Sequence, residues 1–292
     1  MDNKKIAMKV SIVSIISNIL LTIIKFIIGL ISHSRGLLSD AIHSLSDVLS
    51  TIVVIIGIKL SNKAADKNHP YGHERLECVA SIILAVMLVL TAFSIGVGGI
   101  RNIVNNNKAI IFSSTLALLA SLLSILIKEV MYWYTKINAK KINSGALLAD
   151  AWHHRSDSLS SIGSFIGILG VKLGFNMLDN YASIVIALFI VKAAIDIFKD
   201  AIDKMIDKSC DDETIYEIKK IIYKNKKVIN IDDLKTRQFG NKYYIDVEIA
   251  VDKNMNITTA HKVAHDVHDL IEEKIPFVKH CMVHVNPYQE TK

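Results

Sequence analysis

Six long apolar stretches fill the first two thirds of the chain and restrict the folds open to it. Each stretch has about 20 residues or more, the length that an α-helix needs to cross ~30 Å of hydrocarbon. Because lipid offers the backbone no hydrogen-bond partners, we expect these stretches to form helices that satisfy their own backbone groups. The predicted membrane spans are 8–32, 36–60, 78–101, 109–134, 142–173 and 179–202.

The residues after the sixth stretch have the composition of a soluble domain, so the sequence predicts two domains, 1–208 and 209–292. The whole chain is 51% hydrophobic, with a mean hydropathy of +0.36. Its beginning stays apolar for too long to be a cleaved signal peptide, and we expect it to form the first span. The cysteines at 78, 210 and 281 are too scattered for a disulfide framework or a cysteine zinc site, and they suit a reducing environment.

The lysines and arginines of the short loops predict how the spans are oriented. The N-terminus and the loops on its side of the membrane carry eleven of them, and the loops on the other side carry four. We therefore expect both termini and the soluble domain on the cytoplasmic side of the cell membrane. The net charge of +6 then lies beside anionic lipid headgroups and requires no nucleic-acid partner. No G-x-x-x-x-G-K-[ST] motif occurs in the sequence, which argues against nucleotide binding.

The second and fifth spans contain a repeated phrase. Residues 36–52 and 146–162 are identical at ten of 17 positions, and each copy places an aspartate four residues after a histidine. Residues four apart project from the same face of a helix, so each pair can converge on one point. Two imidazoles and two carboxylates form a ligand set that suits divalent cations such as zinc. The predicted ligands of this membrane site are His43, Asp47, His153 and Asp157.

Other ionisable residues lie close to the two pairs in the sequence. Asp40 and Asp150 each precede a predicted histidine ligand by three residues and could accept its imidazole N–H or cap a helix. His154 lies about 100° around the helix from His153, so we do not expect it or Arg155 to be a ligand. Lys25, inside the first span, either extends toward the membrane surface or pairs with a carboxylate in the bundle.

Two membrane helices bearing H-x-x-x-D, a histidine-containing loop and a small C-terminal domain resemble the cation diffusion facilitator family. The resemblance covers essentially the whole chain, and the motifs SDAIHSLSD and ADAWHHRSD carry it. It implies a homodimeric secondary transporter, not an enzyme, that exports Zn²⁺ from the cytoplasm in exchange for protons. Mn²⁺, Fe²⁺, Co²⁺, Ni²⁺ and Cd²⁺ remain alternative cargoes. An intramembrane metallohydrolase is a different alternative, but the sequence has no H-E-x-x-H motif and four protein ligands leave little room for an activated water.

The loop after the second span holds a second candidate metal site. Asp66, His69 and His73 have the spacing D-x-x-H-x-x-x-H, which is typical of a local ligand set. The alternative is a polar interfacial loop in which Pro70 and Gly72 form a turn. The resemblance favours the metal site, because some members of the family bind a second metal ion at these positions.

The C-terminal residues predict the element order α-β-β-α-β, an open-faced α/β sandwich. The predicted elements are a helix at 211–225, strands at 228–240 and 242–252, a helix at 258–275 capped by Thr258 or Thr259, and a strand at 278–287. The resemblance implies a ferredoxin-like domain.

The resemblance also implies functional residues in and around this domain. Members of the family carry a regulatory metal cluster at the dimer interface, and the matching positions here are Asp232, Glu248, His261, His284 and Asn286. Histidine occupies two of them, which leaves the occupancy and metal preference of the cluster open. We expect His265 and His268 to form a polar helix face. Arg75 and Asp207 match an ion pair that interlocks family dimers, although they could equally be two unrelated interfacial charges.

Overall fold

The computed structural model describes residues 3–31, 35–105, 115–172 and 177–289. The chain divides into two compact units, Met1–Ile202 and Asp203–Lys292. Each unit has its own hydrophobic core, the first built mainly from aliphatic helix faces and the second from a sheet covered by two helices.

The first unit is a bundle of helices with 27 to 29 residues each. At 1.5 Å per residue such a helix is about 40 Å long, enough to cross a bilayer. The six helices are α1 (Asn3–Ile31), α2 (Arg35–Ser61), α3 (Leu76–Val104), α4 (Thr115–Lys141), α5 (Gly145–Lys172) and α6 (Leu178–Met205). The predicted helical membrane domain is confirmed.

Four of these helices combine sufficient length with an apolar composition, judged over the residues that the structure describes: α1, α2 from Asp40, α3, and α6 from Asn180. The described residues of α4 and α5 do not meet the same criterion, and these two helices carry Lys128, Glu129 and the second copy of the repeated phrase. The fourth predicted span ends at residue 134, whereas the helix α4 continues to Lys141. Parts of the predicted spans, at 32, 109–114 and 173, lie outside the described residues.

Neighbouring helices pack closely where their side chains are small. Gly57 of α2 faces Ala80 of α3, and a methyl group at Gly57 would collide with the Ala80 side chain. A methyl group at Gly99 of α3 would lie 2.9 Å from the carbonyl oxygen of Asn180 in α6. Small residues of this kind let helix backbones approach each other in a membrane. These two contacts hold α3 against α2 and α6, and α5 contacts both α2 and α3.

Lys25 of α1 pairs with a carboxylate inside the bundle, which is the second of the two alternatives that the sequence left open. Its Nζ lies 2.8 Å from Asp40 Oδ2 and donates a hydrogen bond of 2.8 Å to Ser44 Oγ, both on α2. The lysine side chain is 3% exposed, whereas that of Asp40 is 34% exposed. Asp40 is therefore the counter-ion of a buried lysine.

The second unit has the predicted order α-β-β-α-β. Its elements are α7 (Asp212–Ile222), β1 (Asn230–Phe239), β2 (Lys242–Val251), α8 (Ile257–Lys274) and β3 (Val278–Pro287). The sheet order is β1-β2-β3, with β1 antiparallel and β3 parallel to β2. The helix α8 connects the two parallel strands, and both helices pack on the core face of the sheet.

Local signals fix the ends of these elements. Gly240 has a φ of 63°, which suits the first central position of the tight turn between β1 and β2. The Asp211 side chain accepts a hydrogen bond of 2.7 Å from the Thr214 N–H and caps α7. The predicted threonine cap of α8 is wrong, because Asn256 accepts the Thr259 N–H at 2.9 Å and is the capping residue. Asparagine is among the strongest N-cap residues, and the helix therefore begins at Ile257, before both threonines.

Candidate metal centre

The two repeated His/Asp pairs meet crosswise between α2 and α5. The His153 Nε2 atom lies 3.3 Å from Asp47 Oδ1, and His43 Nε2 lies 3.6 Å from Asp157 Oδ1. Each histidine thus faces the aspartate of the other helix, because the two helices run in opposite directions. Ligand atoms of His43, Asp47 and Asp157 all lie within 4.8 Å of one another. The two aspartates and His153 are buried, whereas the His43 side chain is 50% exposed.

Lys128, one of the eleven lysines and arginines counted on the N-terminal side, completes this group. Lys128 of α4 extends its Nζ to 2.6 Å from Asp47 Oδ2 and 2.8 Å from Asp157 Oδ2. Its side chain is 3% exposed, so it lies inside the bundle and not among the loop residues on the N-terminal side. That side therefore carries ten, not eleven, of the counted lysines and arginines. The signal in the sequence was a lysine well inside a predicted span.

Contacts between α4 and α5 hold the helix that carries Lys128. Glu129 accepts a hydrogen bond of 3.1 Å from the Ser158 hydroxyl and lies 3.4 Å from the Arg155 guanidinium. The same guanidinium lies over the Tyr132 ring, 4.4 Å from its centroid. Arg155 therefore links α5 to α4 beside the site. It contacts none of the four predicted ligands through these interactions, and the sequence likewise predicted that it is not a ligand.

A second buried polar layer lies one helical turn from His153 and Asp157, toward the N-terminal end of α5. His154 Nε2 is 2.7 Å from Ser14 Oγ of α1 and 3.5 Å from Asp150 Oδ2. The Thr51 hydroxyl of α2 donates a hydrogen bond of 3.2 Å to Asp150 Oδ1. Both Asp150 and His154 are fully buried. The contacts of Asp150 thus run to His154 and Thr51, and this layer connects α1, α2 and α5.

The loop residues also come together. The Asp66 carboxylate lies 3.2 Å from His69 Nδ1 and 3.5 Å from His73 Nε2, and the three ligand atoms fall within 4.8 Å of one another. Asp66 also accepts the His69 backbone N–H at 2.9 Å and pairs with Lys63 at 2.8 Å. The Lys63 ammonium and this N–H hold the pKa of the Asp66 carboxyl well below its usual range. Its charge is therefore available to a cation at any physiological pH.

The predicted ligands of the C-terminal domain are only partly assembled. The Asn286 amide donates hydrogen bonds of 3.1 Å to Asp232 Oδ2 and 3.1 Å to Glu248 Oε2. His284 is the strand neighbour of Glu248 in β3. The pairing register between β1 and β2 shifts between Ile231 and Asp233, so Asp232 forms a β-bulge. Within the described part of the domain, no three histidines, cysteines or carboxylates approach closely enough to hold a cation together.

The other residues predicted in this unit do not contact the Asn286 amide in the interactions described. His261 is exposed on α8. His265 pairs with Asp269 at 2.9 Å, and His268 Nδ1 lies 2.6 Å from the carbonyl oxygen of Cys281, in keeping with a polar helix face. Asp207 follows α6 with a φ of 63° and belongs to the second unit.

Arg75 precedes α3 in the first unit, so its pairing with Asp207 stays a prediction. None of the three cysteines forms a disulfide, and all three are buried.

Comparison with known proteins agrees with both units. The cation efflux transmembrane domain matches residues 11–206, and the cytoplasmic domain of cation efflux proteins matches residues 210–288. An uncharacterized transporter of Methanocaldococcus jannaschii is 37% identical, over 94% of this chain and 96% of its own length.

Two further relatives carry metal-related names. The manganese efflux system protein MneP of Bacillus subtilis is 32% identical over 99% of both chains. Metal tolerance protein C1 of Arabidopsis thaliana is 31% identical over 91% of this chain and 59% of its own. The chain therefore belongs to the cation efflux family of membrane transporters, the cation diffusion facilitators.

Proposed function

We propose that the chain exports a divalent transition-metal cation from the cytoplasm, and that His43, Asp47, His153 and Asp157 hold the cation during transport. The observation that carries this proposal is the crosswise contact of two His/Asp pairs inside the bundle. Ionisable groups in a membrane interior are expensive and usually mark an ion pathway. Two carboxylates and two imidazoles on facing helices supply the charge and the donor atoms that a divalent cation needs.

Two cargoes have specific support. The nitrogen and oxygen donors favour Zn²⁺, which forms tetrahedral sites with histidine and aspartate. The names of MneP and MneS, two manganese efflux proteins that are 32% and 31% identical to this chain, favour Mn²⁺. Ligand type biases the affinity of a site without fixing its selectivity in the cell. We place Zn²⁺ first and Mn²⁺ second.

Proton exchange provides the driving force in this proposal. Metal and protons compete for the same histidine and carboxylate atoms, so a cation that leaves the site makes room for protons. The excess of basic residues near the N-terminus supports a cytoplasmic location of both termini and of the second unit, in the cell membrane. Membership of the family supports a homodimer.

A metal panel in proteoliposomes tests the proposed function. The full chain is reconstituted with a pH-sensitive dye inside, and Zn²⁺, Mn²⁺, Fe²⁺, Co²⁺, Ni²⁺ and Cd²⁺ are added in turn. We expect metal-dependent proton movement that is fastest with Zn²⁺ or Mn²⁺. Liposomes that take up metal without proton movement would refute the exchange, and liposomes with no response to any metal would refute the function.

The loop group forms a second metal site in this proposal. We expect Asp66→Asn to remove about one equivalent of bound metal per chain, because the carboxylate joins both histidines. The metal content of the purified protein, measured by plasma mass spectrometry, checks this. Glu217→Gln is the matched control, since Glu217 also pairs with a lysine three residues away but has no histidine partner among the contacts described. Equal metal content in the two variants would contradict the loop site.

Asp232, Glu248, His261 and His284 form a regulatory site in this proposal, completed at the dimer interface. Its support is the family membership and the convergence of Asp232 and Glu248 on the Asn286 amide. Asp232 and Asn286 also line an open cleft of about 570 Å³. The ion pair of Arg75 with Asp207 belongs to the same proposed dimer.

A further inference from the structure

Lys128 occupies the centre of the proposed transport site, where a cation would bind. Each of the two carboxylates turns one oxygen toward a histidine and the other toward the lysine. Asp47 contacts His153 at 3.3 Å and Lys128 at 2.6 Å. Asp157 contacts His43 at 3.6 Å and Lys128 at 2.8 Å. The ammonium therefore bridges the same two carboxylates that would have to hold the metal ion.

The charges of this group do not accommodate both cations. Two carboxylates and one ammonium carry a net charge of −1, and a divalent ion placed between the same carboxylates raises the total to +1. The ion and the ammonium would then repel each other at short range in a buried environment, where screening by water is weak. Without any cation, two buried carboxylates would be uncompensated inside the membrane, which is equally costly.

We propose that the Lys128 ammonium is a tethered competitor of the transported cation: it holds Asp47 and Asp157 when no metal is bound, and the entering metal displaces it. This inference rests on the proposed transport function. Lysine suits the role because its charge sits on a flexible stem of four carbons. Both of the ion pairs described for Lys128 go to the two proposed ligands, so displacement breaks only those contacts.

Arg155, the other basic residue near the site, differs from Lys128 in its contacts. Arg155 is fixed by Glu129 and by the face of the Tyr132 ring, outside the group of ligands. Its position suits a permanent link between helices. Lys128 instead approaches from α4, a helix that supplies none of the four proposed ligands. Its ammonium can withdraw while α2 and α5 keep their ligands in place.

Equilibrium metal binding to the full chain in lipid nanodiscs tests the competition. Binding at the transport site is defined as the Zn²⁺ or Mn²⁺ binding that Asp157→Asn removes. We expect Lys128→Met to lower the Kd at this site about tenfold or more, because the metal no longer displaces a cation. Lys128→Arg should raise the Kd, since a guanidinium holds two carboxylates through several N–H groups. Lys136→Met, which removes a lysine from the same helix, should leave the Kd unchanged.

Lys128→Gln covers the case in which the methionine variant does not fold, since its amide keeps N–H donors for the carboxylates without the charge. We expect it, too, to bind metal more tightly than the wild type. A lysine with a merely structural role would not produce tighter binding when removed. An unchanged or higher Kd in both neutral variants, with wild-type binding intact, would overturn the competition and leave the transport site standing. Wild-type protein without any binding that Asp157→Asn removes would instead overturn the proposed function, and the competition with it.

Discussion

Asp157→Asn should abolish metal transport while leaving the folded protein intact. The substitution keeps the shape of the side chain and removes the charge that faces both His43 and Lys128. With one carboxylate left, the Lys128 ammonium neutralises Asp47, and the site no longer attracts a divalent cation. Even residues that only support a metal ligand usually change affinity by about 10- to 100-fold, so removal of a ligand should reduce transport at least 100-fold.

The measurement is metal-dependent proton movement in proteoliposomes, with the protein content of each preparation matched. Asp196→Asn is the control, because it makes the same change in α6, where the side chain is exposed and belongs to neither candidate site. Asp47→Asn should behave like Asp157→Asn, since the two carboxylates hold equivalent positions about Lys128. Transport by Asp157→Asn at the rate of the control would show that the four residues are not the pathway.

Asp40→Asn should destabilise the protein much more than Lys25→Met. Loss of the Asp40 charge leaves the ammonium of a nearly inaccessible lysine without its described counter-ion, whereas loss of Lys25 leaves a carboxylate that is one-third exposed. An uncompensated buried charge costs about 3 kcal/mol or more. We expect the Tm of Asp40→Asn in detergent to fall by about 5–10 °C.

The double variant Lys25→Met, Asp40→Asn separates the contribution of the ion pair to the Tm from the other effects of each single substitution. Replacement of both partners by uncharged side chains removes the stranded charge, so the Tm should recover most of the loss. Thermal unfolding of the four proteins under one set of conditions gives the coupling between the two residues. Additive losses in the double variant would mean that the pair contributes nothing to stability.

The features that the sequence predicted well depend on local patterns. Span length and hydrophobicity specify the helices of the first unit, and alternation specifies β2 in the second. The spacing of four residues put His43 and Asp47 on one face without any knowledge of the partner helix. Loop spacing likewise brought Asp66 together with His73.

The features that the sequence predicted poorly depend on contacts between distant segments. Lys128 is counted with the basic residues of the N-terminal side although it lies inside the fourth predicted span, because the sequence does not show that its ammonium reaches Asp47 of α2 and Asp157 of α5. The sequence left the partner of Lys25 open, because it does not say which residues of α2 lie beside it. The capping role of Asn256 was missed because the two threonines after it are also common caps.

His43 contacts Asp157 and His153 contacts Asp47, so each half of the proposed cation site is shared between α2 and α5. Either helix alone keeps one nitrogen and one oxygen donor, and so is only half a site. In the proposed transport cycle, any movement that separates α2 from α5 weakens both halves together. Release of the ion in this proposed cycle then depends on the spacing of α2 and α5 and on the Lys128 ammonium that returns to the same carboxylates.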